Sequence, residues 1–205
     1  MKKIILILFL LPLVSLGQEN INYQKPSKEI LELLEFDRPP TVLYDDQKKF
    51  MIFLYRDNYK SIKDLSIKEL RLGGLRIDPK TNIGSRITYY NNVKIKNIKD
   101  RTSKINQISG LPDNAKLSNI VWSPDQKKIA LTNTTENGVE LWLMKLETGT
   151  VVKLTEPNLN ANVGDVINWF NDSESMLVKK ISKNREELID TKNIVPKGPT
   201  ISSNA

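Results

Sequence analysis

A three-part pattern recurs in this chain and constrains its fold more than any other feature. A short apolar strand ends on a large side chain, a polar turn follows, and a second apolar strand begins. The clearest copy is Asn119-Ile120-Val121-Trp122, then Ser123-Pro124-Asp125-Gln126, then residues 128–134. Pro124 presets φ at the second turn position, and the Asp125 side chain can bond its own backbone. Glu136-Asn137-Gly138 makes the next turn, and residues 139–146 a third strand with Val139, Leu141 and Leu143 on one face. Thr148-Gly149 turns again before a fourth strand at 151–155. Four antiparallel strands in about 37 residues make one blade of a β-propeller, whose usual length is ~40–45 residues.

The pattern returns at a long period. Trp169-Phe170-Asn171-Asp172-Ser173, with the strand after it, repeats the Trp122 turn 47 residues later. Leu43-Tyr44-Asp45-Asp46-Gln47 matches it 79 residues earlier, close to two blade lengths. An intervening blade would then hold Ile87-Thr88-Tyr89-Tyr90 and residues 93–98 as strands, closed by 104–108. Repeats of this kind often carry Gly after the Asp, where the chain needs positive φ. Here Gln126, Gln47 and Ser173 stand instead, each weakening its turn by ~1 kcal/mol if the left-handed conformation is required. The expected fold is all-β: an incomplete β-propeller of about four blades of four antiparallel strands, with WD40-like and TolB-like repeats. Trp122, Trp142 and Trp169 fall at repeat positions and are expected to pack blades together.

Before the repeats, residues 27–35 read as a short amphipathic helix with Ser27 at its N-cap, stopped by Pro39-Pro40. The extreme N-terminus reads as an export signal. Lys2 and Lys3 form a basic start, residues 4–13 an apolar run, and Ser15-Leu16-Gly17 a cleavage site ahead of Gln18. That run is too short to span a bilayer stably, so no lasting membrane insertion is expected after cleavage. The expected organisation is a signal peptide at 1–17, a helix and linker at 18–40, and a partial propeller at 41–205. Localisation follows as periplasmic or extracellular.

Composition closes several routes. The 205 residues contain no Cys and no His. Disulfides, thiolate chemistry and a Ser-His-Asp triad therefore cannot be built from this chain, and ordinary zinc sites lose their commonest ligand. The net charge is +7, but lysines alternate with acids, as in Lys183-Asn184-Arg185-Glu186-Glu187, so no nucleic-acid partner is expected. Asp45-Asp46, Asp172-Ser173-Glu174 and Glu186-Glu187 lack metal-loop spacing and sit at turns, where solvated acids are the expected reading. No metal and no cofactor is expected.

One longer segment carries more information than the blades. Glu69-Leu70-Arg71-Leu72-Gly73-Gly74-Leu75-Arg76-Ile77-Asp78-Pro79-Lys80-Thr81-Asn82, followed by Ser85-Arg86, closely resembles a segment of the glutamyl endopeptidase-like branch of the prolyl oligopeptidase serine peptidases. Gly110-Leu111-Pro112-Asp113-Asn114-Ala115, the Trp122 blade, Val139-Glu140-Leu141-Trp142 with Thr148-Gly149, Leu159-Asn160 and Val195-Pro196-Lys197-Gly198-Pro199 follow in the same order. The resemblance covers residues 25–200. Its most specific positions are Glu69, Arg71, Gly74, Arg76 and Arg86.

The resemblance implies a secreted two-domain peptidase in which an N-terminal propeller covers a C-terminal α/β-hydrolase domain, admits short peptides and favours cleavage after Glu. This sequence contains no Gly-x-Ser-x-Gly elbow, and Ile108-Ser109-Gly110 and Gly84-Ser85-Arg86 lack the flanking glycines. We therefore expect a fragmentary copy: a non-catalytic gating segment, inactive alone, whose partners are the hydrolase domain and the peptide substrates of the full enzyme. The alternative is a stand-alone exported propeller that binds or scaffolds other proteins, as those of the Tol system do. Such a protein would need a closed ring to protect its edges.

Overall fold

A computed structural model describes residues 24–185. The expected signal segment with its Gly17–Gln18 cleavage site, the Glu186-Glu187 pair and the Val195–Pro199 stretch lie outside the described residues. The chain divides into two compact units, Met1–Asp37 and Arg38–Ala205. The first contains α1 (Lys28–Leu34), which buries none of its side chains. Its start differs from expectation in one detail. The Ser27 hydroxyl makes no capping bond, and the Ser27 carbonyl instead accepts the N–H groups of Ile30 and Leu31 at 3.1 and 3.0 Å.

The second unit is built from antiparallel sheets, as the repeats require. β1 (Thr41–Tyr44), β2 (Phe50–Tyr55), β6 (Asn92–Asn97) and β7 (Asn106–Gln107) form one four-stranded meander. β8 (Leu117–Trp122), β9 (Lys128–Thr135), β10 (Gly138–Lys145) and β11 (Thr150–Lys153) form a second. β12 (Ile167–Trp169) pairs with β13 (Met176–Val178). Between β2 and β6 lie α2 (Ile62–Leu65) and a small sheet of β3 (Leu70–Leu72), β4 (Leu75–Asp78) and β5 (Ile83–Gly84). The all-β, open, propeller-type fold is as expected.

The division into blades requires a correction. No separate blade intervenes between the Asp45 and Trp122 turns. Of residues 93–98, read as part of one, all but Ile98 lie in β6, which pairs with β2 from Phe50↔Asn97 to Tyr55↔Asn92, while Asn106-Gln107 closes that same sheet as β7. Ile87-Thr88-Tyr89 is not strand, and Tyr90 makes only a bridge to Leu117. The long spacing is thus one blade carrying an insertion. Length alone cannot distinguish two blades from one blade plus an insert of similar size.

Strand alternation explains the core. Phe50, Ile52 and Leu54 of β2, with Val93 and Ile95 of β6, point to one side and are buried. They meet Ile129, Leu131, Met144, Leu146 and Val151 of the second blade in one apolar cluster. The opposite face of the second blade, through Ala130, Val139 and Leu141, packs on Ile167, Val166 and Leu159 in another. The second blade is therefore covered on both faces, and β9 is buried along nearly its whole length. Trp122 and Trp142 pack against the first cluster and Trp169 against the second.

The three repeat turns share one conformation. Gln126 and Ser173 do adopt positive φ, at 60° and 58°. In the first copy that role falls to Lys48, at 51°, not Gln47, so this turn runs one residue later than the sequence alignment implied. The reason lies in its lead residue. Asp45, buried and not solvated as expected, accepts the Lys49 and Phe50 N–H groups through Oδ1 at 2.7 and 2.6 Å. It thereby occupies the place of Ser123, whose Oγ accepts the Lys128 N–H at 3.0 Å. Successive turns also touch. Asp125 N–H donates to Ser173 Oγ at 3.0 Å, and Lys128 Nζ to Glu174 at 2.6 Å.

Candidate functional site

The insertion gives the second unit a broad concavity. A cleft of about 1360 Å³ opens between residues 56–89 and the end of the second blade formed by Lys116, the β9–β10 turn and the start of β10. Its walls are set by two different kinds of chemistry. The insert is short, hairpin-like and held by side-chain bonds. The blade side is regular sheet.

On the insert side, Gly73 and Gly74, both at positive φ (52° and 90°), make the two-residue β3–β4 turn that a side chain would strain. Glu69 then ties the small sheet together. Its Oε1 accepts from Arg71 Nε at 2.8 Å and Arg76 Nη1 at 2.9 Å, and its Oε2 from the Ser85 hydroxyl at 2.7 Å. The Ser85 hydroxyl first, and then the two guanidinium groups, hold the Glu69 carboxyl down to about 2. Asp78 organises the following Asp-Pro-Lys-Thr-Asn turn by accepting from Lys80 N–H and the Thr81 hydroxyl at 2.9 and 2.7 Å. Arg86, by contrast, is exposed.

On the blade side, Glu140 is buried and completely paired. It accepts from Trp142 Nε1 at 2.8 Å, Lys153 Nζ at 2.9 Å and Asn133 Nδ2 at 3.2 Å. Burial pushes this carboxyl up, but those three bonds together bring it below its ordinary range. Trp142 thus serves both the core and the cleft wall, a double role that its repeat position did not reveal. Tyr89 lines the cleft as well, and burial raises its hydroxyl.

Two ion pairs cross from one wall to the other. Lys63 Nζ meets Glu136 Oε1 at 2.9 Å, and Lys116 Nζ meets Asp64 Oδ1 at 2.6 Å. Sequence reading missed both, because residues 56–68 look like any lysine-rich loop and nothing local marks a partner more than fifty residues away. The blade-motif residues Ser123, Pro124, Asp125, Gly149 and Asp172 sit at turns away from this cleft. Asp172 Oδ1 accepts the Glu174 and Ser175 N–H groups, both at 2.9 Å, and Gly149 takes φ 63°. Among the described residues no group of three or more acidic side chains is placed to hold a metal ion. No helix among them is long and apolar enough to cross a membrane.

No family model matches this chain. Sequence similarity to curated proteins runs through most of this chain. A probable chloroplastic glutamyl endopeptidase of Oryza sativa subsp. japonica is 28% identical over 200 residues, covering 92% of this chain and 21% of that protein. Its counterpart in Arabidopsis thaliana is 31% identical over 192 residues, covering 89% and 20%. The chain therefore spans about a fifth of the length of these curated relatives. Among solved structures, an acylaminoacyl peptidase of Pyrococcus horikoshii aligns over 80% of this chain and 20% of its own, with 18% identity and a TM-score of 0.40. A second, an acylaminoacyl peptidase in complex with Z-Gly-Gly-Phe-chloromethyl ketone, covers 75% and 19% with a TM-score of 0.37.

Proposed function

We propose that this chain, related over most of its length to a portion of the glutamyl endopeptidase-like serine peptidases, is an exported propeller segment that controls which peptides reach an α/β-hydrolase domain. The observation that carries this reading is the alignment itself. It runs through 89–92% of this chain yet only 20–21% of each relative, and it coincides with sheets stacked as blades. The chemistry of the chain points the same way. With no His in 205 residues, a Ser-His-Asp triad cannot be assembled from this sequence, so bond cleavage would belong to a separate domain.

A stack of packed blades suits a filter. Its sheets are rigid because both faces of the second blade are buried, and its openings are set by loops and inserts. An extended peptide can pass such an opening where a folded domain cannot.

Two measurements test the proposal. The purified chain should give no turnover of Glu-containing peptides above background, and turnover above background would refute it. Supplied in trans to a hydrolase domain of this peptidase type, the chain should reduce cleavage of a folded substrate more than that of a short peptide. Equal effects on both substrates would remove the gating role. Export is checked separately by expressing the gene with its own N-terminus. Mature protein beginning at Gln18 outside the cytoplasm is expected, and full-length cytoplasmic protein would contradict it.

A further inference from the structure

The segment linking β2 to β3 is fastened to the second blade in an unusual way. No residue between 56 and 68 is buried as a whole, and Arg56, Asn58 and Asp64 are only partly covered, with Asn58 Oδ1 shielded from solvent. Ile62 and Leu65, the apolar residues of α2, are 76% and 70% exposed. The helix is one turn long, capped internally by Ser61, whose Oγ accepts the Asp64 N–H at 3.1 Å and donates to Asp64 Oδ2 at 2.6 Å. Four residues cannot hold a helix in place by themselves, and hydrophobic burial contributes little here. What reaches from α2 across to the blade is electrostatic: Lys63 to Glu136 and Asp64 to Lys116.

The arrangement of these pairs matters. Lys63 and Asp64 are consecutive residues of opposite sign, and each finds its opposite on the blade, so the contact is polarised and orients the helix. All four residues also line the cleft. The pairs therefore span its two walls. Lys63 is raised first by its hydrogen bond to Glu136, and Asp64 is lowered first by its bond from Lys116, which agrees with the geometry. The root of the segment is secured differently, by Asn91 Nδ2 donating to Asp57 Oδ1 at 2.7 Å, and Lys60 Nζ donates to the Ser85 carbonyl at 3.3 Å.

We infer that residues 58–68 form a strap over the cleft, latched by charge and released by ionic screening, so that access to the cleft rises with salt. The strap swings about the Asp57–Asn91 root while the sheets on either side keep their packing. This behaviour belongs to the chain itself and does not depend on its serving a peptidase.

Hydrogen exchange on the full chain tests it between 0.01 M and 1 M salt, across which the Debye length falls from about 30 Å to about 3 Å. Amides of residues 60–68 should exchange about fivefold faster at high salt, the effect that one exposed and one half-buried pair of ordinary strength produce together. Amides of β9 and β10 should not change. Lys63→Glu should give the fast rate even at low salt, and Lys63→Glu combined with Glu136→Lys should restore the slow one.

A second readout reports on the cleft. The chain has no cysteine, so Thr134→Cys places one thiol in the cleft wall and Val152→Cys places a control on exposed β11. Maleimide labelling of the first should accelerate with salt relative to the second. Salt-independent exchange of residues 60–68, or equal salt responses of the two thiols, would overturn the inference.

Discussion

Among single residues, Glu69 concentrates the most interactions in the insert. Its carboxylate faces Arg71, Arg76 and Ser85, and its pKa lies at about 2 against an ordinary 4.5. A depressed folded-state pKa means the ionised form is favoured by folding. The contribution is complete above pH 4.5 and disappears as pH falls from there toward 2. Glu69→Gln should therefore lower the melting temperature at pH 7 and make a much smaller difference at pH 2, as thermal denaturation at the two pH values would show. A variant equally destabilised at both would mean that the charge is irrelevant. Two backbone positions give further expectations. Lys48 holds φ 51° with an exposed side chain, so Lys48→Gly should stabilise by about 0.5–1 kcal/mol, the left-handed cost less the added chain entropy of Gly. Gly138 is the reverse case. A Cβ there would lie 2.2 Å from the Pro157 carbonyl oxygen, and Gly138→Ala should cost roughly 1–3 kcal/mol in urea unfolding. The need for positive φ was legible in the turn chemistry. Its exact position in the first repeat was not, because Asp45 and Asp46 are equivalent in sequence and only burial distinguishes them.

The same contrast holds for whole elements. Residues 117–153 fold as the four strands their alternation and turns describe, since each strand pairs with its neighbour in sequence and local signals suffice. The insert defeats such reading. β2 pairs with β6 across 36 intervening residues, and periodicity carries no record of which strand a chain returns to. The cleft was hidden for the same reason, being made by two elements that meet only in space. Within the sheets, Leu131 is the best test of the blade interface. It lies 2% exposed between the first and second blades, and Leu131→Ala should cost about 2–5 kcal/mol by denaturant titration. Trp169 links the second blade to β12 through Nε1–H donating to the Val121 carbonyl at 3.2 Å. Trp169→Phe should cost about 1 kcal/mol, with most of the loss in that bond.

For the molecule as a whole, the blades are unequal in their surroundings. The second is enclosed between two neighbours. The first presents Met51, Phe53 and Tyr55 on its outer side, half-buried, where Lys94 Nζ lies 5.0 Å from the Tyr55 ring centre. The third sheet leaves Phe170 and Leu177 largely in water. Heat or denaturant should meet these sheets in a definite sequence. Melting ought to begin at the flanks and reach β9 and β10 last, so their amides should outlast those of β1 and β13 in a native-state exchange series. The middle sheet would then persist as a surviving kernel, from which the flanking strands re-form on dilution.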